Sequence, residues 1–384
     1  MSDFYPASFP RREEELWTAR QRQMSNLHEI SYRACFKAEL PEWFISRYSA
    51  VGDVVYDPFG GRGTTAVQAS LQGRRFISND LNPLSRILAE PRISPPPLRA
   101  VAERLEQLDL SGAEGALAPL EHDLTVFYNE RTLQEICKLR NYLQQRRAAG
   151  REDTLDAWIR MVATNRLTGH SKGFFSVYTL PPNQATSVER QRLINERYHN
   201  DLSEYRDVKA LILRKSRQLL KDLPQGFIGT GGLFLNCDAG HTTAIADDSV
   251  NLIITSPPFL NVVQYDTDNW LRLWFNCLDA EDIATGLTQT RHLAAWEAAM
   301  RRVFGEFARI MAPGAHGAFE VGEVDKGRIR LDEVVFTLLL ESGLLPLELL
   351  INKQQFTKTA HIWGIDNNEQ GTNSNRIMLF KKGI

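Results

Sequence analysis

The sequence lacks the features that mark several broad classes of protein. No run of 18 apolar residues occurs among the 384 residues, so no segment is long enough to cross a bilayer as a helix. The four cysteines are far apart and form no C-x-x-C pair, which excludes a zinc knuckle and gives no sign of a disulfide framework. The first residues contain no apolar core of a secretory leader. These absences predict a protein of the reducing cytoplasm, without a membrane partner.

Metal-ligand patterns and a strong overall charge are also missing. The eight histidines are scattered without ligand spacing, so no metal site is predicted. The net charge is only −2, and the composition is that of an ordinary globular protein. Charge is nevertheless uneven, because residues 131–220 contain 17 Lys and Arg against nine Asp and Glu. Such a basic block indicates either a polyanionic partner or a solvated helical face.

The order of the predicted elements indicates an α/β protein interrupted by a helical block. Strand patterns occur at 51–56, 74–80, 231–239 and 250–259. The pattern between the second and third strands is mainly helical. Strands alternating with helices predict an open, mostly parallel sheet. The two final strands have no helix between them, which predicts an antiparallel C-terminal hairpin.

The composition shifts predict three consecutive parts of the chain. Residues 1–97 and 229–384 are predicted to form the two halves of the sheet domain. Residues 98–228 are predicted to form an inserted, mainly helical region, which begins after a Pro-rich break. Within the insert, 169–184 does not have a helical pattern, since it contains two glycines and two adjacent prolines.

A glycine-rich loop follows the first strand pattern and reads Asp57-Pro-Phe-Gly-Gly-Arg-Gly-Thr-Thr65. Glycines there let the backbone approach a ligand closely, and Asp80 at the end of the next strand offers a carboxylate to ribose hydroxyls. The Gly-Lys-[Ser/Thr] of a phosphate-binding P-loop is missing. The loop does match G-x-G-x-x-A from Gly61 to Ala66, so a dinucleotide site is an alternative. Asp57 would then face a pyrophosphate, whereas it suits an ammonium group better.

A second segment, Ser256-Pro-Pro-Phe259, follows the strand pattern VNLIIT. Two prolines at the carboxyl end of a strand stop its ladder and stiffen the chain, and ligands bind at that edge of an α/β sheet. The Ser256 hydroxyl and the Pro257 carbonyl are acceptors, and Phe259 offers a ring for stacking. These groups would suit a planar ring bearing an amino group. On its own, the tetrapeptide is also typical of a simple turn.

Together, the two segments resemble the S-adenosylmethionine-dependent DNA amino-methyltransferases of the N4-cytosine/N6-adenine group. The family motif F-x-G-x-G is matched by Phe59, Gly61 and Gly63, and the motif [DNS]-P-P-[YFW] by Ser256 to Phe259. The resemblance covers about 25–90 and 230–384. It implies a Rossmann-like methyltransferase sheet, with S-adenosylmethionine as the cofactor. The Ser-Pro-Pro form is more similar to the N4-cytosine enzymes, whereas Asp-Pro-Pro-Tyr is the usual N6-adenine form.

The resemblance also implies roles for individual residues. The implied cofactor-binding residues are Asp57, Pro58, Phe59, Gly61, Gly63, Thr64, Asp80, Asp238 and Ala239. The implied catalytic residues are Ser256, Pro257, Pro258 and Phe259. In this interpretation Ser256 Oγ and the Pro257 carbonyl hold the amine hydrogens, and Phe259 stacks on a base flipped out of the duplex.

The order of the motifs differs from the usual order for enzymes with an Asp-Pro-Phe glycine loop, because here the cofactor motif comes first. This resembles a circular permutation, closer to the order of the α group. Residues 28–45 stand where the family's N-terminal cofactor helix would be. Residues 131–220 are the predicted target-recognition part. Its predicted nucleic-acid contacts are Arg166, His170, Lys172, Asn183, Gln184, Arg190 and Arg192.

The sequence thus predicts a cytosine-N4 DNA methyltransferase that acts on double-stranded DNA. A cognate restriction endonuclease is a possible partner in this interpretation. The alternatives are an N6-adenine DNA methyltransferase, an RNA methyltransferase using the same amine site, an NAD-dependent oxidoreductase and a catalytically silent nucleic-acid-binding module. C5-cytosine methylation is excluded, because it needs a nucleophilic cysteine in a Pro-Cys pair. The cysteines here follow Ala34, Ile136, Asn236 and Asn276.

Overall fold

The computed structural model describes residues 4–14, 24–32, 35–111, 123–180, 185–224, 226–258, 265–279, 283, 292–324, 328–353 and 374–384. The strands within these ranges are β1 (Arg11–Glu14), β2 (Val54–Asp57), β3 (Arg75–Asn79), β4 (Gly232–Leu235), β5 (Val250–Thr255), β6 (Met311–Val321), β7 (Glu323–Val324), β8 (Ile329–Arg330), β9 (Leu344–Lys353) and β10 (Ser374–Lys382). The helices are α1 (Glu39–Tyr48), α2 (Thr64–Leu71), α3 (Leu84–Ala89), α4 (Leu98–Gln107), α5 (Glu130–Ala148), α6 (Thr154–Thr164), α7 (Val188–Tyr198), α8 (Val208–Leu219), α9 (Tyr265–Asn276), α10 (Leu293–Ile310) and α11 (Leu331–Glu341). None of the described helices is long and apolar enough to cross a membrane.

The described residues form an eight-stranded sheet in the order β1-β9-β10-β6-β5-β2-β3-β4, beside a small β7-β8 ribbon. Neighbouring strands of the large sheet are parallel except at β10, which runs antiparallel to both β6 and β9. The predicted α/β fold and its antiparallel C-terminal hairpin are therefore confirmed. The edge strand β1 was not predicted, because its sequence, RREE, is charged and carries no strand pattern.

The sheet separates two apolar layers, since successive strand side chains point to opposite faces. Val55 and Leu252 pack with α1, α2 and the insert, whereas their neighbours Tyr56 and Ile253 pack with α10 and α11. A strand covered on both faces has a continuous apolar sequence, which explains why VNLIIT has no alternating pattern. The result is a three-layer α/β/α arrangement.

The insert lies between β3 and β4 and consists of α4 to α8 with their connections. Three carboxylate and amide side chains cap its helices: Asn129 caps α5, Asp153 caps α6 and Asp207 caps α8. The buried carboxylate of Asp156 accepts hydrogen bonds from Arg104 of α4 and from Arg146 of α5, so it holds three helices together. Polar side chains thus fix the start and the packing of the insert helices.

The strand order places a ligand-binding crevice at one position of the sheet. After β2 the chain proceeds outward to β3 and β4, and then returns to form β5 on the other side of β2. The connections of β2 and β5 therefore leave in opposite directions, which opens a crevice outside the carboxyl ends of these two strands. The glycine loop follows β2 and the Ser-Pro-Pro segment follows β5. The topology alone therefore brings both sequence motifs to one place.

Candidate active site

An open cleft of about 980 Å³ lies at this crevice. The predicted site residues that line it are Asp57, Pro58, Phe59, Gly61, Thr64, Asp80, Asp238, Ala239, Ser256 and Pro258. Gly63 and Pro257 do not line the cleft, and Phe259 lies outside the described residues. The structure therefore gathers most of the predicted cofactor and catalytic residues into one site.

The glycine loop is shaped by close contacts as well as by its opening to the cleft. The Gly61 amide donates to Asp80 Oδ2 at 2.8 Å. A Cβ on Gly60 would lie 2.4 Å from Ser78 Oγ, and one on Gly63 would lie 2.3 Å from Ala89 Cβ, where φ is also +77°. Gly63, predicted from the motif to bind the cofactor, is thus required for packing the start of α2 against α3.

Asp57 joins the two sequence motifs directly. Its buried carboxylate accepts a hydrogen bond from Thr255 Oγ1 at 2.7 Å, across a sequence separation of 198 residues, and one from the Phe59 amide at 3.1 Å. Thr255 is the last residue of β5 and precedes Ser256. The carboxylate therefore fixes the carboxyl end of β5 relative to the glycine loop.

Burial raises the pKa of Asp57 and of Asp80. The pKa of Asp57 rises to about 6, although hydrogen bonds from Thr255, Thr65 and the Phe59 amide oppose the rise. The pKa of Asp80 also rises to about 6, against hydrogen bonds from two backbone amides. A carboxylate held in such surroundings is stabilised by a cationic ligand, because the cation replaces the lost hydration. The cleft is thus prepared for a ligand that carries positive charge.

A third loop, which follows β4, closes one side of the cleft. Asn79 holds it in place: its amide nitrogen donates to the carbonyls of Pro58 and Cys237 at 3.2 and 2.9 Å, and its oxygen accepts from the Cys237 amide at 3.1 Å. Asp238 in this loop is half-exposed and forms an ion pair with Arg302 of α10 at 2.8 Å. Sequence reasoning missed Asn79 and Arg302, because neither lies in a recognisable motif.

The Ser-Pro-Pro segment is held by two side chains that the sequence analysis also missed. The indole of the buried Trp296 in α10 donates to the Pro258 carbonyl at 2.9 Å. Ser256 donates a hydrogen bond to the carboxylate of Glu320, at the end of β6. Nothing in the sequence around Trp296 marks it. Glu320 could have been noticed, because it is an isolated carboxylate in the otherwise apolar run AFEV.

The segment before α1 forms the front wall of the cleft through Tyr32, Cys35 and Phe36. Buried arginines hold its backbone: Arg62 donates to the Ile30 and Phe36 carbonyls at 2.9 and 3.2 Å, and Arg272 donates to the Ser31 carbonyl at 3.1 Å. Residues 28–45 were expected to correspond to a cofactor helix, but α1 begins only at Glu39. The part that reaches the cleft is non-helical.

The predicted nucleic-acid residues of the insert are not brought together as the cleft residues are. Arg166 is buried, with its guanidinium 4.0 Å from the centre of the Phe174 ring. Burial lowers the pKa of Arg166 to about 10. Its position in the interior makes it a packing residue of the 169–180 segment in this structure. Asn183 and Gln184 lie outside the described residues.

The remaining predicted contacts lie on the surface of the insert. Lys172 is paired with Glu204 at 2.6 Å, and Arg192 with Asp123 at 2.8 Å. His170 and Arg190 are exposed. Exposed ion pairs are weak, so a phosphate group can replace the acidic partner at small cost.

The insert is hydrogen-bonded to α9, the helix that follows the Ser-Pro-Pro segment. The Ala185 amide donates to the Asp268 carbonyl at 3.0 Å, and the Trp270 indole donates to the Thr186 carbonyl at 3.1 Å. Asp268 and Trp270 belong to α9, the first described helix after Ser256. The insert therefore lies beside the first described helix after the Ser-Pro-Pro segment.

The fold and the site together indicate which kind of ligand suits the cleft. An α/β sheet with two acids at adjacent strand ends is typical of a site for a nucleoside-linked ligand, and the acidic glycine loop suits one bearing a cationic amino-acid part. Acceptor groups at Ser256 and Pro257 lie on the same edge. Among the residues that the structure describes, no group of His, Cys, Asp and Glu side chains could hold a metal ion.

Comparisons with known proteins find similarity to one family over part of the chain. Residues 7–87 match the model of the N6/N4 methyltransferases, a DNA methylase family. The chain is 39% identical over 62 residues to the type II methyltransferase M.MjaII of Methanocaldococcus jannaschii, a match covering 16% of this chain and 12% of that protein. It is 40% identical over 62 residues to the orphan methyltransferase M.BamHII of Bacillus amyloliquefaciens, covering 16% and 23%. The matches thus span less than a quarter of either relative.

Several solved structures align over most of the chain. One of them is a SAM-dependent methyltransferase of Methanosarcina mazei, 10% identical, with 89% of this chain and 97% of that one covered and a TM-score of 0.36. The two sequence matches and the family model, rather than this alignment, support a DNA methyltransferase of the N6/N4 family.

Proposed function

We propose that this chain is an S-adenosylmethionine-dependent DNA methyltransferase that methylates the N4 amine of cytosine. The observation that carries the proposal is the 2.7 Å hydrogen bond between Thr255 and Asp57. Through it, the residue before Ser256 is fixed against the glycine loop, so an amine bound at Ser256 and a cofactor bound at Asp57 would share one cleft. Methyl transfer requires such proximity.

The residues of the cleft fit S-adenosylmethionine. Asp57 offers a buried carboxylate for the ammonium group, and Asp80, with oxygens at the edge of the cleft, offers acceptors for the ribose hydroxyls. Asp238 and Ala239 line the side of the cleft where the adenine would lie. When bound, the cofactor would supply an activated methyl group on a sulfonium, and the buried carboxylates of Asp57 and Asp80 favour a ligand that carries positive charge.

The catalytic work falls to the end of β5. An exocyclic amine is a poor nucleophile because its lone pair is conjugated with the ring. Ser256 Oγ and the Pro257 carbonyl accept the two amine hydrogens, which favours a pyramidal nitrogen and directs its lone pair toward the methyl group of the cofactor. The same acceptors stabilise the positive charge that develops on nitrogen. Trp296 stiffens the segment through Pro258, so the acceptors are oriented before the base arrives.

Duplex DNA is the proposed substrate, and the base enters the cleft by flipping out of the stack. The insert, attached to α9 beside the catalytic segment, is the proposed recognition part. Arg190 and Arg192 contact phosphates, and the segment containing Asn183 and Gln184 reads base edges. A restriction endonuclease that shares the target sequence would be blocked by DNA methylated in this way, which provides the assay for such a partner.

The test is methyl transfer from labelled S-adenosylmethionine to unmethylated duplex DNA and, separately, to bulk tRNA, followed by mass spectrometry of the nucleosides. N4-methylcytosine in DNA is the expected product. N6-methyladenine in DNA would retain the mechanism and replace the base. Label confined to tRNA would replace the substrate, and absence of label together with absence of cofactor binding would overturn the proposal.

A further inference from the structure

Glu320 is a buried carboxyl group in contact with the proposed catalytic hydroxyl. It lies next to Ser256 because β5 and β6 are parallel and Thr255 is in register with Phe319, so the residues that follow are neighbours. Only 4% of Glu320 is exposed. Its carboxylate accepts hydrogen bonds from Ser256 and, at 2.5 Å, from Asn375 Nδ2 of β10. A buried carboxylate needs hydrogen-bond donors, and the proposed catalytic serine is one of the two donors here.

The described residues around Glu320 supply almost no compensating positive charge. Ser256 on β5 and Asn375 on β10 are neutral, and the next residue of β10, Arg376, reaches Asp332 instead. On β6 itself, His316 packs against Tyr48 of α1. From the segment before α1, the Cys35 thiol interacts electrostatically with Glu320, and burial raises the pKa of that thiol.

The charged side chains of α1, which packs against β5 and β6, are Glu39, Glu42 and Arg47. Arg47 lies over the Trp43 ring, and Glu42 accepts from Ser46. Both Glu39 oxygens are buried without a hydrogen-bond partner among the described residues. Burial without an ion pair raises the pKa of Glu320 to about 7, against the hydrogen bonds from Asn375 and Ser256. At neutral pH this carboxyl is therefore able both to accept and to release a proton.

We infer that Glu320 receives, through Ser256 Oγ, the proton that the target amine loses during methyl transfer. This inference rests on the proposed function. The amine lone pair forms the new N–C bond as the methyl–sulfur bond breaks, and the electrons of that bond stay on sulfur. The amine nitrogen then gives a proton to Ser256 Oγ while the hydroxyl proton of Ser256 passes to the Glu320 carboxylate. Glu320 later releases the proton to solvent, which restores the site. Glu320 thus acts as a positioning residue and proton acceptor behind the catalytic serine.

The test is the pH dependence of single-turnover methylation. The wild-type rate should fall as the pH is lowered through the pKa of Glu320, because the protonated acid cannot accept a proton. Glu320→Gln should lower the rate by about 100-fold and remove this inflection, with an unchanged Kd for sinefungin measured by calorimetry. Glu320→Asp should restore part of the rate. A Glu320→Gln enzyme with the wild-type rate and inflection would overturn the relay.

Two further variants keep the inference testable if Glu320→Gln fails to fold. Asn375→Ala removes a donor to the ionised carboxylate, so it should move the inflection to higher pH; an unmoved inflection counts against Glu320 as its origin. Glu135→Gln alters a buried carboxylate in the insert, bonded to Tyr205, and serves as the matched control with the wild-type inflection.

An infrared titration separates the relay from the proposed function. The carboxylic acid band that disappears in Glu320→Gln should titrate near neutral pH in the resting enzyme and at higher pH in Ser256→Ala, because a donor has been lost. A band that titrates in the ordinary glutamate range and ignores Ser256 would overturn the relay even in a protein without methyltransferase activity. Wild-type protein that shows the expected band but neither binds S-adenosylmethionine nor methylates DNA would instead refute the proposed function.

Discussion

The cleft and the insert both contain predicted functional residues, but the structure arranges the two sets differently. In the cleft, side chains from four distant segments converge on one space and hydrogen-bond to one another, as Asp57 does with Thr255 and Asp80 with Gly61. In the insert, Arg166 is buried against Phe174, whereas Arg190 is exposed on another helix. The first set is organised by a sheet edge, and the second is distributed over helices and loops.

The difference shows for which residues a sequence motif predicts the position of a side chain. The carboxyl ends of parallel strands meet at one edge, so any polar residue just after such a strand reaches the same crevice. No comparable rule directs a basic residue on a helix, which is equally able to pack its stem inside or pair on the surface. Substitutions can test this difference. Replacing a cleft residue should affect cofactor binding or methyl transfer specifically, whereas replacing an insert residue should affect stability or DNA affinity.

The largest effect is expected from Ser256→Ala. Loss of the hydroxyl removes one of the two acceptors for the amine, so the single-turnover rate should fall by about 100-fold to 1,000-fold with the cofactor Kd unchanged. Ser249→Ala, which removes a hydroxyl bonded to the Ala246 carbonyl at the other end of the same strand, is the control. Full turnover by the Ser256 variant would remove this residue from the mechanism.

Asp57→Asn should weaken S-adenosylmethionine binding by about tenfold to 100-fold, because a neutral amide loses the charged hydrogen bond to the ammonium group. The substitution keeps the size of the side chain and its contact with Thr255. Asp53→Asn removes a carboxylate just before the opposite end of β2, where it accepts a hydrogen bond from the Ala50 amide, and should leave the affinity unchanged. Calorimetry decides, and equal affinities for both variants would contradict the assignment of the ammonium site.

The raised pKa values of Asp57 and Asp80 predict a pH dependence of cofactor binding. Both lie at about 6, so a cationic ligand must displace protons below that value, and affinity should be about tenfold lower at pH 5 than at pH 7 for each carboxyl. The stability of the free protein should depend on pH in the opposite direction from the cofactor affinity. A carboxyl with a raised pKa stabilises the fold below its ordinary pKa of 3.8, and this contribution is lost as the pH rises through about 6. Thermal shifts with and without cofactor across this range measure both effects, and a pH-independent shift would contradict the prediction.

In the insert, Arg166→Ala and Arg190→Ala should act in different ways. The first removes a buried side chain that packs on Phe174, so it should lower the Tm. The second removes an exposed charge, so it should leave the Tm unchanged, weaken DNA binding a few-fold and reduce the salt slope by about one. Melting curves and DNA titrations at several salt concentrations separate the two. A Tm unaffected by Arg166→Ala would return that arginine to the set of DNA contacts.

The smallest effect is expected from Lys172→Ala. An exposed pair with Glu204 contributes about 0.2–1 kcal/mol at most, so stability should scarcely change, and DNA affinity should fall only if a phosphate replaces Glu204. Fluorescence anisotropy with duplex DNA measures this directly. Arg217→Ala, on α8 of the same insert, provides a charge-matched comparison. A fall in the single-turnover rate as large as that of Ser256→Ala would mean that the insert contains catalytic residues.

The local sequence determined the strands, most insert helices and the identity of the two motifs, because apolar runs, capping residues, glycines and prolines act over a few neighbouring positions. It did not reveal β1, since a charged edge strand is defined only by its pairing with β9. It also did not reveal the packing role of Gly63, which depends on the approach of Ala89. The cleft residues Asn79 and Trp296 have no local signature, and their roles follow from what they contact.

The sequence by itself therefore determined which chemical groups this protein possesses and at which strand ends they lie. Only the tertiary structure decided how they work together. Strand order set β5 beside β2 and so joined Thr255 to Asp57, and strand register set Glu320 beside Ser256. Burial then raised the pKa of these carboxyl groups. Desolvation and contact are properties of packed surroundings, and a linear pattern contains no information about the residues that will supply them.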